Sequence, residues 1–111
     1  MEEKVFLRLR QVVIEFPDGS VFEIGRLQYV KKGWVVRIKD AVNFEGEIGM
    51  MKALAIAAET TKTVAGSKDD DVELWDVVEI FNNEAEATEA GKKNGQMAIY
   101  QIETGKLKWL E

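Results

Sequence analysis

Apolar and polar residues alternate with a period of two in residues 4–16 and 34–39, the pattern typical of half-buried β-strands. Strand character is also found in residues 21–30, a single strand that Gly25 interrupts, and in residues 97–102 and 106–110. Turn-forming residues separate them at Pro17 to Ser20, at Lys31 to Gly33 and at Glu103 to Gly105. A change of parity between Leu9 and Val12 predicts a β-bulge near Gln11. We therefore predict a three-stranded antiparallel meander followed, at the end of the chain, by a hairpin.

Two segments between these strands have helical character. Strong helix formers dominate residues 50–59 and predict a largely buried helix over 48–64. Downstream, apolar residues at i, i+3, i+4, i+7 and i+11 from Leu74, with three aspartates before them and Gly91 after them, predict a helix over 69–90. The order is β-β-β-α-α-β-β. We predict one α+β domain over residues 1–111, with two helices packed on one face of a mainly antiparallel sheet.

The amino-acid composition excludes several kinds of catalytic and metal-binding site. The 111 residues include no Cys and no His, so disulfides, thiolate metal sites and the commonest general base are excluded. Gly46 to Gly49 precede a helix but lack the Lys and Ser or Thr of a phosphate-binding loop. We expect no enzyme, no cofactor and no metal. Without an apolar run of membrane-spanning length or a secretory signal, we also expect a cytoplasmic protein that does not engage membranes.

The formal net charge of −5 is unevenly distributed along the sequence. Residues 69–90 contain nine acids and no Lys or Arg. The parts before and after this block each carry two more basic than acidic side chains, with eleven against nine and four against two. The chain therefore contains an acidic block within a mildly basic protein.

Strand parity predicts a basic face on the N-terminal sheet. If Val5, Leu7 and Leu9 face the core, the cations between them project from the opposite side. Later strands add further cations with the same parity, and an aromatic ring lies nearby. The predicted nucleic-acid-binding residues are Arg8, Arg10, Arg26, Tyr29, Arg37 and Lys39. Cations that contact phosphates beside a ring that stacks on bases are typical of single-stranded DNA or RNA binding, although ordinary solvated strands also carry Arg and Lys.

The acidic block supports an alternative function, a protein-interaction module. An inhibitor or assembly factor, for instance from a virus or mobile element, would use the 69–90 helix to bind a basic protein partner. The residues proposed for this contact are Asp69, Asp70, Asp71, Glu73, Asp76 and Glu79. A solvated amphipathic helix explains the same pattern, and the aspartates lack the ligand alternation of a calcium loop. The apolar helix around Met50 and Met51 would also permit a homo-oligomer.

Overall fold

The computed structural model describes Val5, residues 7–11 and residues 19–110. Val5 and residues 7–11 are helical and form α1. The elements that follow are β1 (Ser20–Glu23), β2 (Gln28–Tyr29), β3 (Trp34–Arg37), β4 (Phe44–Glu45), α2 (Gly46–Glu59), β5 (Thr63–Asp69), β6 (Val72–Phe81), α3 (Glu84–Lys93), β7 (Ala98–Gln101) and β8 (Leu107–Trp109). The predicted α+β class is confirmed.

All the described strands belong to one antiparallel sheet. Its order is β2-β1-β5-β6-β3-β7-β8, and β4 pairs with the first part of β6. The ten-residue strand β6 joins the two halves, because it pairs with β5 on one side and with β4 and β3 on the other. Val21 of β1 and Val35 of β3 pack in one buried cluster with Val78, although two strands separate β1 from β3. The sheet is therefore strongly curled.

Helices α2 and α3 cover the same face of the sheet, as predicted. Along β6, Trp75 and Val77 pack against α2. Phe81 lies four residues beyond Val77, so it is on the same face of the strand, and it packs in the cluster of α3. Val78 and Ile80 have the opposite parity and pack away from both helices. The core therefore consists of a larger layer under α2, a smaller one under α3 and a third cluster on the helix-free side.

The predicted strand over 4–16 is wrong where the structure describes it. Val5 and residues 7–11 are helical, and the remaining residues of that prediction and most of its turn lie outside the described residues. Leu9 is fully buried against Phe22, whereas Leu7 is 58% exposed. Val5 and Leu9 are four residues apart, so they share one side of a helix as readily as one side of a strand. The positions of Val5 and Leu9 therefore suited both structures, whereas the exposure of Leu7, which a strand would place on the same side, fits only the helix.

The predicted N-terminal meander is not formed. Its second strand, predicted to continue past Gly25 to Val30, turns back on itself as strands β1 and β2, with Phe22 opposite Tyr29. Strand β3 does not pair with it, since β3 pairs with β6 and β7 instead. Residues 30–33 cross one end of the sheet to reach that position. Trp34, Val35 and Val36 are all buried, as expected for a central strand covered on both faces.

The predicted acidic helix over 69–90 is wrong over residues 69–83, about two thirds of its length. Residues 63–81 form the β5–β6 hairpin, and only Glu84–Lys93 is helical. The aspartates form its turn, where Asp70 has a φ of 55° and Asp69 pairs with Val72. Asp is among the few residues that adopt this left-handed conformation readily. Because β6 is buried on both faces, its apolar residues have both parities and imitate a helical stripe. Helix α2 likewise ends at Glu59 rather than at 64.

Helix α3 has well-matched ends. Asn83 Oδ1 accepts a hydrogen bond from the Glu86 N–H at 3.1 Å, with acids in the first turn and Lys92 and Lys93 in the last. Gly91 does not end this helix. A methyl group there would come within 2.6 Å of Leu110, so glycine allows the helix to approach β8 closely. No helix in the described part of the chain is long and apolar enough to cross a membrane.

A carboxylate fastens the crossing segment 30–33 to the β7–β8 turn. The Gly33 N–H donates to Glu103 Oε1 at 2.9 Å, and the Ile102 N–H donates to the Gly33 carbonyl at 2.9 Å. The bond from Gly33 lowers the pKa of Glu103 from its ordinary value, assisted by the N–H of Glu103 itself and by the charge of Lys32. The ionised carboxylate is thus the form that holds the two segments together.

We expect the contact between Glu103 and Gly33 to make the free energy of unfolding decrease as the pH becomes acidic. A carboxyl whose pKa is lower in the folded state stabilises the protein above its unfolded-state pKa and ceases to do so as the pH falls through the folded-state value. Glu103→Gln should therefore lower the urea midpoint near neutral pH, and the difference from the parent should shrink as the pH falls through the lowered pKa of Glu103. Glu86→Gln, an exposed carboxyl elsewhere, is the control. A difference that persists in acid would contradict the role of the charge.

Candidate functional site

The helix-free side of the curled sheet forms a concave surface, called the open face below. It encloses about 600 Å³. Its floor consists of the small or branched side chains of the central strands, and its wall on one side consists of β7 and β8. The residues that matter for its chemistry are Arg37, Asp76, Met97, Tyr100, Leu107 and Trp109. A concave surface with an apolar floor and a few polar groups is typical of a binding site.

Aromatic side chains line the wall of the open face. Tyr100 lies opposite Leu107 and pairs on its other side with Val35, so its ring shares a face with the buried Val35. Trp109 lies two residues beyond Leu107 and has the same parity. Tyr100 is 41% exposed and Trp109 67% exposed. As diagonal cross-strand neighbours, the two side chains are about 7–8 Å apart at their bases.

An ion pair lies at the edge of the same concavity. Arg37 Nε is 3.5 Å from Asp76 Oδ2, and the other oxygen of Asp76 accepts the Asn43 N–H at 2.6 Å. The Asp76 side chain is 13% exposed and that of Arg37 is 53% exposed. Asp76 therefore holds the irregular connection between β3 and β4 and orients Arg37, while most of the guanidinium stays accessible to a ligand.

Four cations, called the basic rim below, lie at or near one end of the open face: Arg37 lines the concavity, and Lys39, Lys92 and Lys93 lie close to it in the chain. The turn after β3 meets the end of α3 here, because the Lys39 N–H donates to Asn94 Oδ1 at 3.3 Å. All four cations are exposed, and Gly95 and Gln96, which follow α3, line the concavity. Asp76 offsets Arg37, and the three lysines outnumber the two nearby acids, which are Asp40 in the turn after β3 and Glu89 one helical turn before Lys92 and Lys93. The rim is therefore locally positive in a protein of negative net charge.

The structure does not unite the six predicted nucleic-acid-binding residues on one face. Arg8 lies on α1, with its guanidinium 5.5 Å from the Tyr29 ring centre and 5.9 Å from that of Phe22. Arg10 lies 3.7 Å from Glu47 of α2, and Arg26 lies in the turn between β1 and β2. Only Arg37 and Lys39 border the concavity or its rim. The predicted parity depended on a strand over 4–16, and α1 replaces that strand at Val5 and residues 7–11, the part that the structure describes.

The predicted acidic contact residues are divided as well. Asp69, Asp70, Asp71 and Glu73 lie at the tip of the β5–β6 hairpin, beside Glu45 and Glu47. Asp76 belongs to the open face, and Glu79 is exposed on the opposite side of β6, opposite Val36. Across residues 19–110 and the described part of α1, no group of three or more carboxylates could hold a metal ion.

Sequence analysis missed Tyr100, Trp109, Lys92 and Lys93. Period-two alternation in the closing hairpin does place Tyr100, Leu107 and Trp109 on one face, but it does not show whether helices cover that face. That depends on the position of β3 between β6 and β7. Comparison with known proteins adds no relative, because no family model, no curated protein and no solved structure matches the chain.

Proposed function

We propose that this protein is a binding protein, rather than an enzyme, that holds single-stranded nucleic acid on the open face. The observation that supports this most directly is the pair of exposed rings, Tyr100 and Trp109, which line the same concavity as Arg37 of the basic rim. Unstacked bases offer flat faces to aromatic rings, and phosphates are attracted to Lys and Arg. A strand lying across β7 and β8 could use both features at once.

The arrangement favours single strands over duplexes. Bases within a duplex are stacked on one another and cannot stack on Tyr100 or Trp109, whereas unpaired bases can. Arg37, Lys39, Lys92 and Lys93 would contact phosphates along one border of the concavity. Because these contacts do not depend on base identity, we expect little sequence preference.

Fluorescence anisotropy with a labelled oligonucleotide of about 12 nucleotides tests this proposal. We expect binding at low salt that weakens as salt increases, with a lower affinity for the matching duplex. Lys92→Gln together with Lys93→Gln should weaken binding and reduce the slope of log affinity against log salt by about two.

Lys52→Gln together with Lys62→Gln is the matched control. Both lysines are exposed, one on α2 and one in the turn after it, and the change in net charge is identical. Equal effects of the two pairs would mean that net charge alone governs binding. Absence of any binding of the single strand at low salt would refute the proposal.

A second candidate is an acidic interaction module that uses the hairpin tip. The β5–β6 turn and the start of α2 gather carboxylates of Glu45, Asp71 and Glu73 around a shared concavity. Such a surface suits a basic protein partner. Titration of a labelled oligolysine peptide in the same assay distinguishes the candidates, since its binding should be lost on charge neutralisation at the tip and kept in the rim variant.

A further inference from the structure

Strand β8 forms one edge of the sheet, and its outward backbone groups are accessible. Among the described residues, no strand pairs with its outer side. The Gln101 N–H donates to the Lys106 carbonyl and the Leu110 N–H donates to the Met97 carbonyl, both at 2.8 Å. Backbone groups alternate in direction along a strand, so those of Leu107 and Trp109 point away from β7. This edge can receive another strand.

The edge also lacks its expected protection. Lysines on edge strands commonly discourage pairing with another chain. Lys108, in the middle of β8, instead turns onto α3, where its Nζ lies 3.1 Å from Glu84 Oε2 and 2.9 Å from Thr88 Oγ1. Leu107 and Trp109 on either side are 48% and 67% exposed. This short edge strand therefore carries two exposed apolar side chains, and the lysine between them does not project over its outer side.

We propose that β8 pairs with β8 of a second copy of this chain, in antiparallel orientation about a two-fold axis at Lys108. In this register Leu107 lies opposite Trp109 of the other copy and exchanges both backbone hydrogen bonds with it, and the symmetric pair does the same. Each leucine packs beside a tryptophan on the open face. We choose a second copy as the partner because this strand, when it pairs with itself about Lys108, places an apolar side chain opposite an apolar side chain at both positions.

Charge is compatible with this register only because of Glu84. The two Lys108 residues lie directly opposite each other, an unfavourable arrangement for like charges. Glu84 neutralises each lysine within its own chain and draws it toward α3. The pairing uses backbone groups in the plane of the sheet, so the open faces of the two copies become one continuous surface. The dimer does not rest on the proposed function, because it forms without nucleic acid.

Sedimentation velocity without nucleic acid, over roughly a hundredfold range of protein concentration, tests the dimer. A single short strand buries little area, so we expect a monomer–dimer equilibrium in the micromolar range or weaker. Glu84→Gln should raise the dissociation constant about two- to fivefold, because it leaves Lys108 charged opposite its copy. Glu86→Gln changes the same charge in the same helical turn without touching Lys108, and should have no effect.

Leu107→Pro provides the second test, because it removes an outward N–H at an edge position that tolerates proline. We expect the dissociation constant to rise at least about tenfold while the thermal unfolding transition remains cooperative. Backbone amides of Leu107 and Trp109 in the parent should exchange with deuterium more slowly as concentration rises. A parent that stays monomeric throughout, or equal effects of Glu84→Gln and Glu86→Gln, would overturn the proposal.

Discussion

Tyr100→Ala combined with Trp109→Ala should lower the affinity for a single-stranded oligonucleotide by between about thirtyfold and twenty-thousandfold. Loss of one stacked base costs about 1–3 kcal/mol, and the two rings lie on neighbouring strands where each can receive a base. Tyr100→Phe should keep most of the affinity, since stacking needs the ring and not the hydroxyl. Anisotropy titrations at one fixed low salt concentration give the comparison.

Ile48→Ala combined with Met51→Ala is the matched control for the aromatic pair. These residues are 71% and 54% exposed on the outer side of α2, remote from the open face in the layered fold. Both double variants remove exposed apolar area, so nonspecific adhesion would weaken equally in the two. An affinity that survives loss of both rings would exclude the open face as the binding surface. Circular dichroism must show that both variants remain folded.

The distribution of charge explains how a protein of net charge −5 could bind a polyanion. The β5–β6 hairpin carries Asp69, Asp70 and Asp71 to the end of two long strands, away from the basic rim. At about 0.15 M salt, charges more than about 8 Å apart in solvent are largely screened. A ligand at the rim would therefore respond mainly to Lys39, Lys92 and Lys93, and long-range repulsion should matter most at very low salt.

Sequence patterns were sufficient for the fold class and for the closing hairpin, whose strands are close in sequence. Residues 97–102 and 106–110 pair as the turn between them predicts, whereas the turn at Gly25 and Arg26 was interpreted as an interruption within one strand. The β5–β6 hairpin was missed because β6 is buried on both faces, so Trp75, Val77 and Val78 follow no single parity. Periodicity identifies a strand only when one of its faces is exposed to water.

The candidate site was harder to predict because it depends on contacts between residues far apart in sequence. The polar or exposed character of Arg37 and Lys39 could be deduced locally, and both border the open face or its rim. Tryptophan is a large apolar residue that is usually mostly buried, yet Trp109 is exposed because α3 lies on the other side of the sheet. Lys92 and Lys93 lie near Lys39 because Asn94, the residue after them, accepts a hydrogen bond from the Lys39 N–H. No local pattern encodes that contact.

Trp75→Ala should lower the free energy of unfolding by about 3–5 kcal/mol, the largest stability effect expected here. Trp75 is fully buried beneath α2 and its ring lies over Gly66 of β5, so truncation would leave a cavity at the centre of the largest core layer. Domains of this size are commonly stable by only 5–15 kcal/mol. Urea denaturation at neutral pH measures the loss, and Trp109→Ala, the same change at an exposed position, should alter stability by less than about 1 kcal/mol.

Trp75→Phe should lower the free energy of unfolding by much less than Trp75→Ala does. Trp75 Nε1 is buried and has no hydrogen-bond partner among the described residues, and such an unpaired donor costs about 1–3 kcal/mol. Phenylalanine removes that donor while it keeps a ring over Gly66.

A methyl group at Gly66 would come within 2.5 Å of Trp75 Cζ3, so Gly66→Ala should destabilise the parent by about 1–3 kcal/mol and the Trp75→Phe variant by less. A double-mutant cycle measures this difference. Additive effects would mean that the Trp75 ring does not restrict residue 66, contrary to the packing described.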